Sequence, residues 1–475
     1  MSNDAPSGSS PSHRSPSEGD DQRSVGLPSG FLQGGLLSLP VALVLFGAIW
    51  LVELLIDPSH VPSVTTQSDR SAKTASGNTK ASGNTKASGN TTTSGEMSGR
   101  ADPTVVSSKS VGGDPQIMPA FPEGGIDTGT AITRVTPDTP WKRLPANSVL
   151  TRIGIGSCLS QRHPQPIWDG VLGLPKQPDL FLMVGDNVYG DIKSPDGAEL
   201  ISAYEMQAAH PEFSKARQTL PMLATWDDHD YGINDGGAAF EHRVLAARLF
   251  RDFWQIDTGR PVDAGLYYAR TFGPVGRRVQ MIFLDTRFFR GALTRKTAAF
   301  PHWGRYEPSR DVSQTLLGDV QWAWLSDQLR QPADVRVIVS SIQVLAEGHG
   351  FERWGNLPHE QDRLIRVIEE AEARGVVFVS GDRHAGALYA LRQDQGSLSV
   401  PATLAELTSS SLNRSYGPSK DAAFDVRLSD VFHQENFGLI DIDWDQRKLT
   451  LSLRGMAGEL LTDAGFSFDE LGISR

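Results

Sequence analysis

The octapeptide VGDNVYGD, Val184 to Asp191, combines residue types that suit hard cations. Asp186 offers two carboxylate oxygens, enough to bridge a pair of cations, and Tyr189 adds a phenol oxygen on the same loop. A second concentration of polar groups, Thr225 to Asp235 (TWDDHDYGIND), sets Asp227, Asp228, His229 and Asp230 side by side. Carboxylates packed this closely repel one another unless a cation neutralises them, and His229 among them can donate a proton. The plainer reading of the same stretch is an acidic turn that caps a helix. A third cluster, Gly381 to His384, carries Asp382 and His384. Gly381, just before them, makes a turn available here. Cys158 is the only cysteine, so no intramolecular disulfide can form. It is either a small buried hydrophobe or a thiolate ligand. Arg287, in the run Asp285-Thr-Arg, could hold a phosphate or neutralise Asp285. Asn187, Asn234 and Arg287 are further candidate contacts to a metal or a phosphate.

Each of these groups follows an apolar run short enough for a buried strand. Thr151 to Gly156 precedes Cys158, and Leu180 to Val184, after a Pro178-Asp179 turn signal, precedes Asp186. Pro221 to Ala224 leads to Asp228, Val279 to Leu284 to Asp285, and Val376 to Ser380 to Asp382. Helical patterns lie between them at Glu199 to Ala209, Phe240 to Trp254, Asp319 to Leu329 and Glu360 to Ala373, the last stopped by Gly375. A further strand is predicted at Val335 to Ser340. Phe437 to Trp444 and Leu449 to Arg454 alternate around a short turn as an antiparallel hairpin. In open α/β sheets ligands collect at the carboxyl edge of the strands, so this order predicts that the distant polar segments meet in one site.

The chain has 475 residues and a formal charge of −11, a balance that argues against non-specific nucleic-acid binding and that clustered carboxylates would produce. Its first third is of another kind. Residues 1–30 are rich in Ser, Pro, Gly and Asp and read as a disordered tail. Residues 31–57 hold the apolar segment Gly34 to Ile56, whose only charge is Glu53 and which as a helix spans roughly 35 Å, enough for a bilayer core. It is too long for a signal-peptide core and no small-residue cleavage site follows, so it reads as an uncleaved signal anchor; the alternative is a buried core helix. Arg14 and Arg23 against four acids give a faint vote for a cytoplasmic amino terminus, which places the rest of the chain in the periplasm or on the cell surface. Residues 58–140 contain the repeat ASGNTK and read as a flexible linker, and the folded domain is assigned to residues 141–475. Oligomeric state has no signature here.

With these residues in place, the domain resembles the PhoD-like branch of the calcineurin-type metallophosphoesterases across roughly residues 148–456. The matching elements are GSC at 156–158, GDNVYGD at 185–191, WDDHDYG at 226–232, LDTR at 284–287, LGDVQWAWL at 317–325, SGDRHAG at 380–386 and ENFGLIDIDW at 435–444. The resemblance implies an α/β fold, a four-layered α/β/β/α metallophosphoesterase sandwich with mixed sheets, and hydrolysis of phosphate mono- or diesters at alkaline pH with a metal-bound hydroxide as nucleophile. It implies that Cys158, Asp186, Tyr189 and His384 hold ferric iron (Fe3+). Asp186 would bridge to calcium (Ca2+), held also by Asp228 and Asp382, and His229 would be the catalytic histidine beside the leaving group. Thiolate and phenolate suit a trivalent cation, and oxygen ligands suit a hard divalent one. The resemblance also has gaps: no twin-arginine pair precedes the apolar run, and no sandwich domain precedes the catalytic one. A phosphodiesterase specific for lipid or cell-wall polymers is the alternative substrate reading, since loops such as Thr286 to Ser313 set specificity. A tethered binding protein with an inactive site is the alternative from another class, and the completeness of the ligand set stands against it.

Overall fold

The computed structural model describes residues 135–137, 141–393, 400, 402–418, 420–424 and 426–474. The tail, the apolar segment Gly34 to Ile56 and the repeats lie outside the described residues. Among the described residues no helix is long and apolar enough to cross a membrane.

Five short runs predicted as strands form parallel strands, because a strand buried on both faces needs a continuous apolar sequence. They are β1 (Arg152–Gly156), β2 (Leu180–Val184), β3 (Met222–Thr225), β5 (Val279–Phe283) and β7 (Val376–Ser380), with β6 (Val335–Val339) between the last two. The predicted hairpin is β10 (Asn436–Asp443) with β11 (Lys448–Gly455), and β4 (Tyr268–Phe272), β8 (Gly386–Leu391), β9 (Leu404–Ser409) and β12 (Leu460–Ser467) complete the set. They build two six-stranded mixed sheets, ordered β12-β11-β10-β1-β2-β3 and β4-β5-β6-β7-β9-β8. Strands β1, β2 and β3 run parallel in the first. Strands β5, β6, β7 and β9 run parallel in the second.

The two faces of the second sheet divide by the strand period of two. Val279, Met281, Phe283, Val337, Val339, Val377 and Val379 join the core shared with the first sheet. Ile282, Ile338 and Phe378 face a separate core with Trp322, Leu325 and Leu329 of helix Gly318–Leu329 and Leu364, Ile365 and Ile368 of helix Pro358–Glu370. Each such side chain contributes about 1.5–3 kcal/mol by leaving water. Helices Ile167–Leu172, Ala198–Ala209 and Arg243–Trp254 supply Trp168, Tyr204 and Phe253 to the core of the first sheet. Trp168 meets Phe181 of β2 edge to face at 5.0 Å.

The folded part also begins earlier than residue 141. Val135 is buried, its N–H donates to Asp252 Oδ2 at 2.8 Å, and Thr136 Oγ1 donates to Oδ1 of the same carboxylate.

Candidate metal centre

The parallel strands of both sheets deliver their carboxyl ends to one edge, and the polar residues after them meet there. Cys158 follows β1, Asp186 follows β2, Asp228 follows β3, and Asp382 and His384 follow β7. Local backbone geometry makes this possible. Gly185 sits at φ +95°, and a Cβ on it would lie 2.4 Å from the Asp227 Cβ, so only glycine lets the two loops approach. Cys158, Asp186, Asp382 and His384 themselves hold positive φ, between 48° and 67°. Such strain in non-glycine residues persists where surrounding structure enforces it, commonly at sites of function. Gly381 plays a different part from the predicted turn: it has ordinary φ, and a Cβ there would press on Ser157 at 2.5 Å.

Two adjoining donor groups result. In the first, ligand atoms of Cys158, Asp186 and His384 all lie within 4.8 Å of one another. Tyr189 joins them by donating its hydroxyl to Asp186 Oδ2 at 3.2 Å. Cys158 Sγ stands 3.6 Å from the same oxygen and 3.1 Å from Ser410 Oγ. His384 Nδ1 is tied to the Arg414 carbonyl at 2.5 Å, which fixes the tautomer and leaves Nε2 as the acceptor that a metal needs. Burial, the largest cause, pushes the His384 pKa down to about 3, so the ring is neutral. In the second group Asp228 and Asp382 lie with Asp227, and Asp186 returns in a third set with Asp228 and His229. Asp186 is therefore common to both sides.

The donor set fits cations. Burial and the Asp186 charge push the Cys158 thiol up, burial and Asp186 do the same to Tyr189, and burial with neighbouring carboxylates raises Asp186 and Asp382. Four groups whose anions are disfavoured in the bare protein are what a multivalent cation stabilises. In addition, Asp228 Oδ1, Asp227 Oδ2 and Asn187 Oδ1 are buried without a hydrogen-bond partner.

Both readings of the DDHD run hold, for different residues. Asp230 does structural work, accepting the N–H of Asp227 at 3.1 Å and of Asn187 at 3.0 Å at the start of the short helix Asp228–Tyr231. Asp228 and His229 face the cavity of about 150 Å³ that Asp186, Asn234, Asp382 and His384 also line. His229 Nδ1 meets Asp191 Oδ1 at 2.7 Å, and the His229 backbone N–H donates to Asp186 Oδ1 at 3.3 Å. Burial alone would lower the imidazole pKa, yet the charge of Asp228 and the bond to Asp191 carry it up to about 9. Asn187 is turned inward, its amide donating to the Thr225 carbonyl at 2.9 Å.

Arg287 departs from both roles read in sequence. Its guanidinium is fully buried, with Nε 2.6 Å from Asp227 Oδ1 and Nη1 2.5 Å from Glu352 Oε2, and it does not line the cavity. Asp285 is instead held by the Trp226 indole and by backbone N–H groups of Leu266, Arg287 and Phe288. Arg287→Ala removes the ion-pair partner of buried Asp227, while Glu352 keeps Arg290 at 2.8 Å, and is expected to cost about 3–5 kcal/mol in denaturant unfolding. Unchanged stability with a raised KM would return Arg287 to substrate binding. Sequence reasoning gave no role to Asp191, Glu352, Ser410 or Arg414. Only Asp191 carried a signal, as the last residue of the VGDNVYGD stretch.

A two-sheet α/β fold whose strand ends gather adjoining donor groups around one shared carboxylate defines a metal-dependent hydrolase. Residues 168–453 match the family model of the PhoD-like phosphatases, and the chain belongs to that family. It is a phosphoesterase, catalysing metal-dependent phosphoester hydrolysis. A solved structure of PhoD superposes with a TM-score of 0.53 at 17% identity, covering 69% of this chain and 70% of that one, a likeness of fold. GAP50, described as the anchor in the inner membrane complex of Plasmodium, gives 0.43 at 13% identity over 69% of this chain and 90% of its own. A dimetal phosphatase from Danio rerio gives 0.41 at 13% identity over 68% and 100%. No curated protein matches the sequence.

Proposed function

We propose that this domain hydrolyses phosphate mono- or diesters at a mixed iron and calcium centre. The observation that carries the reading is the shared position of Asp186, between a group containing a thiol, a phenol and an imidazole and a group made of carboxylates. Cys158, Asp186, Tyr189 and His384 would hold Fe3+, and Asp186, Asp228 and Asp382 would hold Ca2+. When bound, the cations supply Lewis acidity and charge neutralisation toward the phosphoryl oxygens. The chain's own residues do the rest. Asp191 fixes the His229 ring by its Nδ1, which leaves Nε2 to give a proton to the departing ester oxygen. Asn234 lines the cavity beside Asp228, where its amide can orient a phosphoryl oxygen. The iron assignment is tested by colour. Phenolate-to-iron charge transfer should give the purified protein a visible band that Tyr189→Phe bleaches or shifts, and a colourless, fully active, iron-free enzyme would overturn it.

The domain is further proposed to be tethered outside the cytoplasm by Gly34 to Ile56, on the strength of that segment's length and apolar character. Protease added to intact spheroplasts should then release a fragment beginning within residues 58–140. Protection of that stretch reverses the orientation.

A further inference from the structure

A second cavity, of about 230 Å³, shares His229 with the first and is lined by Arg162, Lys193 and Arg414 together with Tyr189, Asp191 and Glu199. Its three cations come from three separate loops, after β1, β2 and β9. None of them is drawn into an ion pair among the described residues, whereas both acids are already engaged. Asp191 is held by His229, and Glu199 accepts from Ser194 Oγ at 2.7 Å and from the Lys193 N–H at 3.1 Å. Arg414 is rigidly placed: its guanidinium lies 4.1 Å over the Tyr189 ring and its Nη2 reaches the Tyr416 hydroxyl at 3.1 Å. Two planar guanidiniums and an ammonium around one cavity form a receptor for an oxyanion, which arginine grips through paired N–H donors.

His229 lines both cavities, and in the proposed function it is the group that meets the leaving oxygen. The part of a substrate beyond that oxygen therefore lies on the His229 side. We infer that the cavity of Arg162, Lys193 and Arg414 is a leaving-group subsite for a second anion, so that the preferred substrates are phosphoesters whose departing alcohol carries its own phosphate or carboxylate. This rests on the hydrolase reading above. Water adds to the scissile phosphorus and releases one proton to solvent, the bond from phosphorus to the ester oxygen breaks, that oxygen takes the proton from His229, the alcohol leaves with its second anion still attached, and His229 takes up a proton from solvent.

The test is a series of α,ω-alkanediol bisphosphates set against n-alkyl phosphates of equal chain length. At one spacer length the bisphosphate should show a KM lower by about tenfold or more, as charge-assisted contacts provide. In the Arg162→Gln/Lys193→Gln double variant this ratio, taken within each protein so that general losses cancel, should fall towards unity. Calorimetric titration of the metal-loaded protein with the matching non-hydrolysable bisphosphonates and alkylphosphonates reads the same preference without turnover. Equal KM values and equal affinities in the two series, or an advantage that does not depend on spacer length, would overturn the subsite. No hydrolysis of any ester, with the bisphosphonate preference present and lost in the double variant, would sink the hydrolase reading and keep the subsite.

Discussion

Asp186→Ala is expected to abolish hydrolysis of every phosphoester tested and to lower bound metal at both donor groups together. Among the described residues no other stands in a group with Cys158 and His384 and also in one with Asp228 and His229. Its Oδ2 faces the thiol and the phenol while its Oδ1 faces the His229 N–H, so each oxygen serves a different side. Losing a ligand that orients an assembled site commonly costs metal affinity far beyond one bond, and the chemistry that depends on the metals goes with it. The experiment also separates a ligand from a structural carboxylate. Asp186 is buried beside Asp228, Asp227 and Asp230, which with burial raise its pKa well above the usual carboxylate range. In chelator-treated protein, Asp186→Asn relieves that repulsion and should melt above the metal-free wild type. Metal should then raise the wild-type Tm strongly and the variant's little, because a ligand stabilises only the fold that binds it. A variant that melts lower without metal, with metal content unchanged, would make Asp186 a structural group.

How far this site could be read in advance follows from where its information lies. Strands β1, β2, β3, β5, β6 and β7 are almost wholly buried, so they are mainly apolar, with Arg152, Gln280 and Arg336 among the exceptions, and the candidate ligands lie in the loops just beyond strand ends. That is why Cys158, Asp186, Asp228, Asp382 and His384 were all legible. Strand β9 escaped because it carries a buried charge: Glu406 accepts from Ser380 Oγ and from the N–H groups of Val344 and Leu345, a partnership invisible along the chain. Strand β12 escaped for the opposite reason, being largely exposed at a sheet edge. The division of labour in Asp227 to Asp230 was also hidden. Neighbouring aspartates on a turn project differently, and the partners that hold Asp227, Arg287 and Ser341, come from loops more than fifty residues away. Pairing of this kind is set by tertiary approach, and no local periodicity encodes it.

His229→Ala, by contrast, is expected to keep the metals and to lose activity selectively. The ring reaches the cavity beside Asp186 and Asp228 but is anchored from behind, through Nδ1, by Asp191 at 2.7 Å. That arrangement leaves one nitrogen for substrate, and the adjacent carboxylates hold the proton on the ring up to about pH 9, through the range where a phosphoester with a poor leaving group needs an acid. A positioned general acid typically contributes about 10²- to 10⁴-fold. The loss should fall in that range for an alkyl phosphate, whose alkoxide cannot depart unprotonated. It should be far smaller for p-nitrophenyl phosphate, whose leaving group departs readily as an anion. Asp191→Asn keeps the imidazole in place but removes the carboxylate behind it, so its loss on alkyl esters should be intermediate. The measurement is kcat/KM on the two esters for wild type and both variants, with metal content determined on the same samples. Equal losses on good and poor leaving groups, with metals intact, would remove the proton-donor role and leave His229 to orient the phosphate.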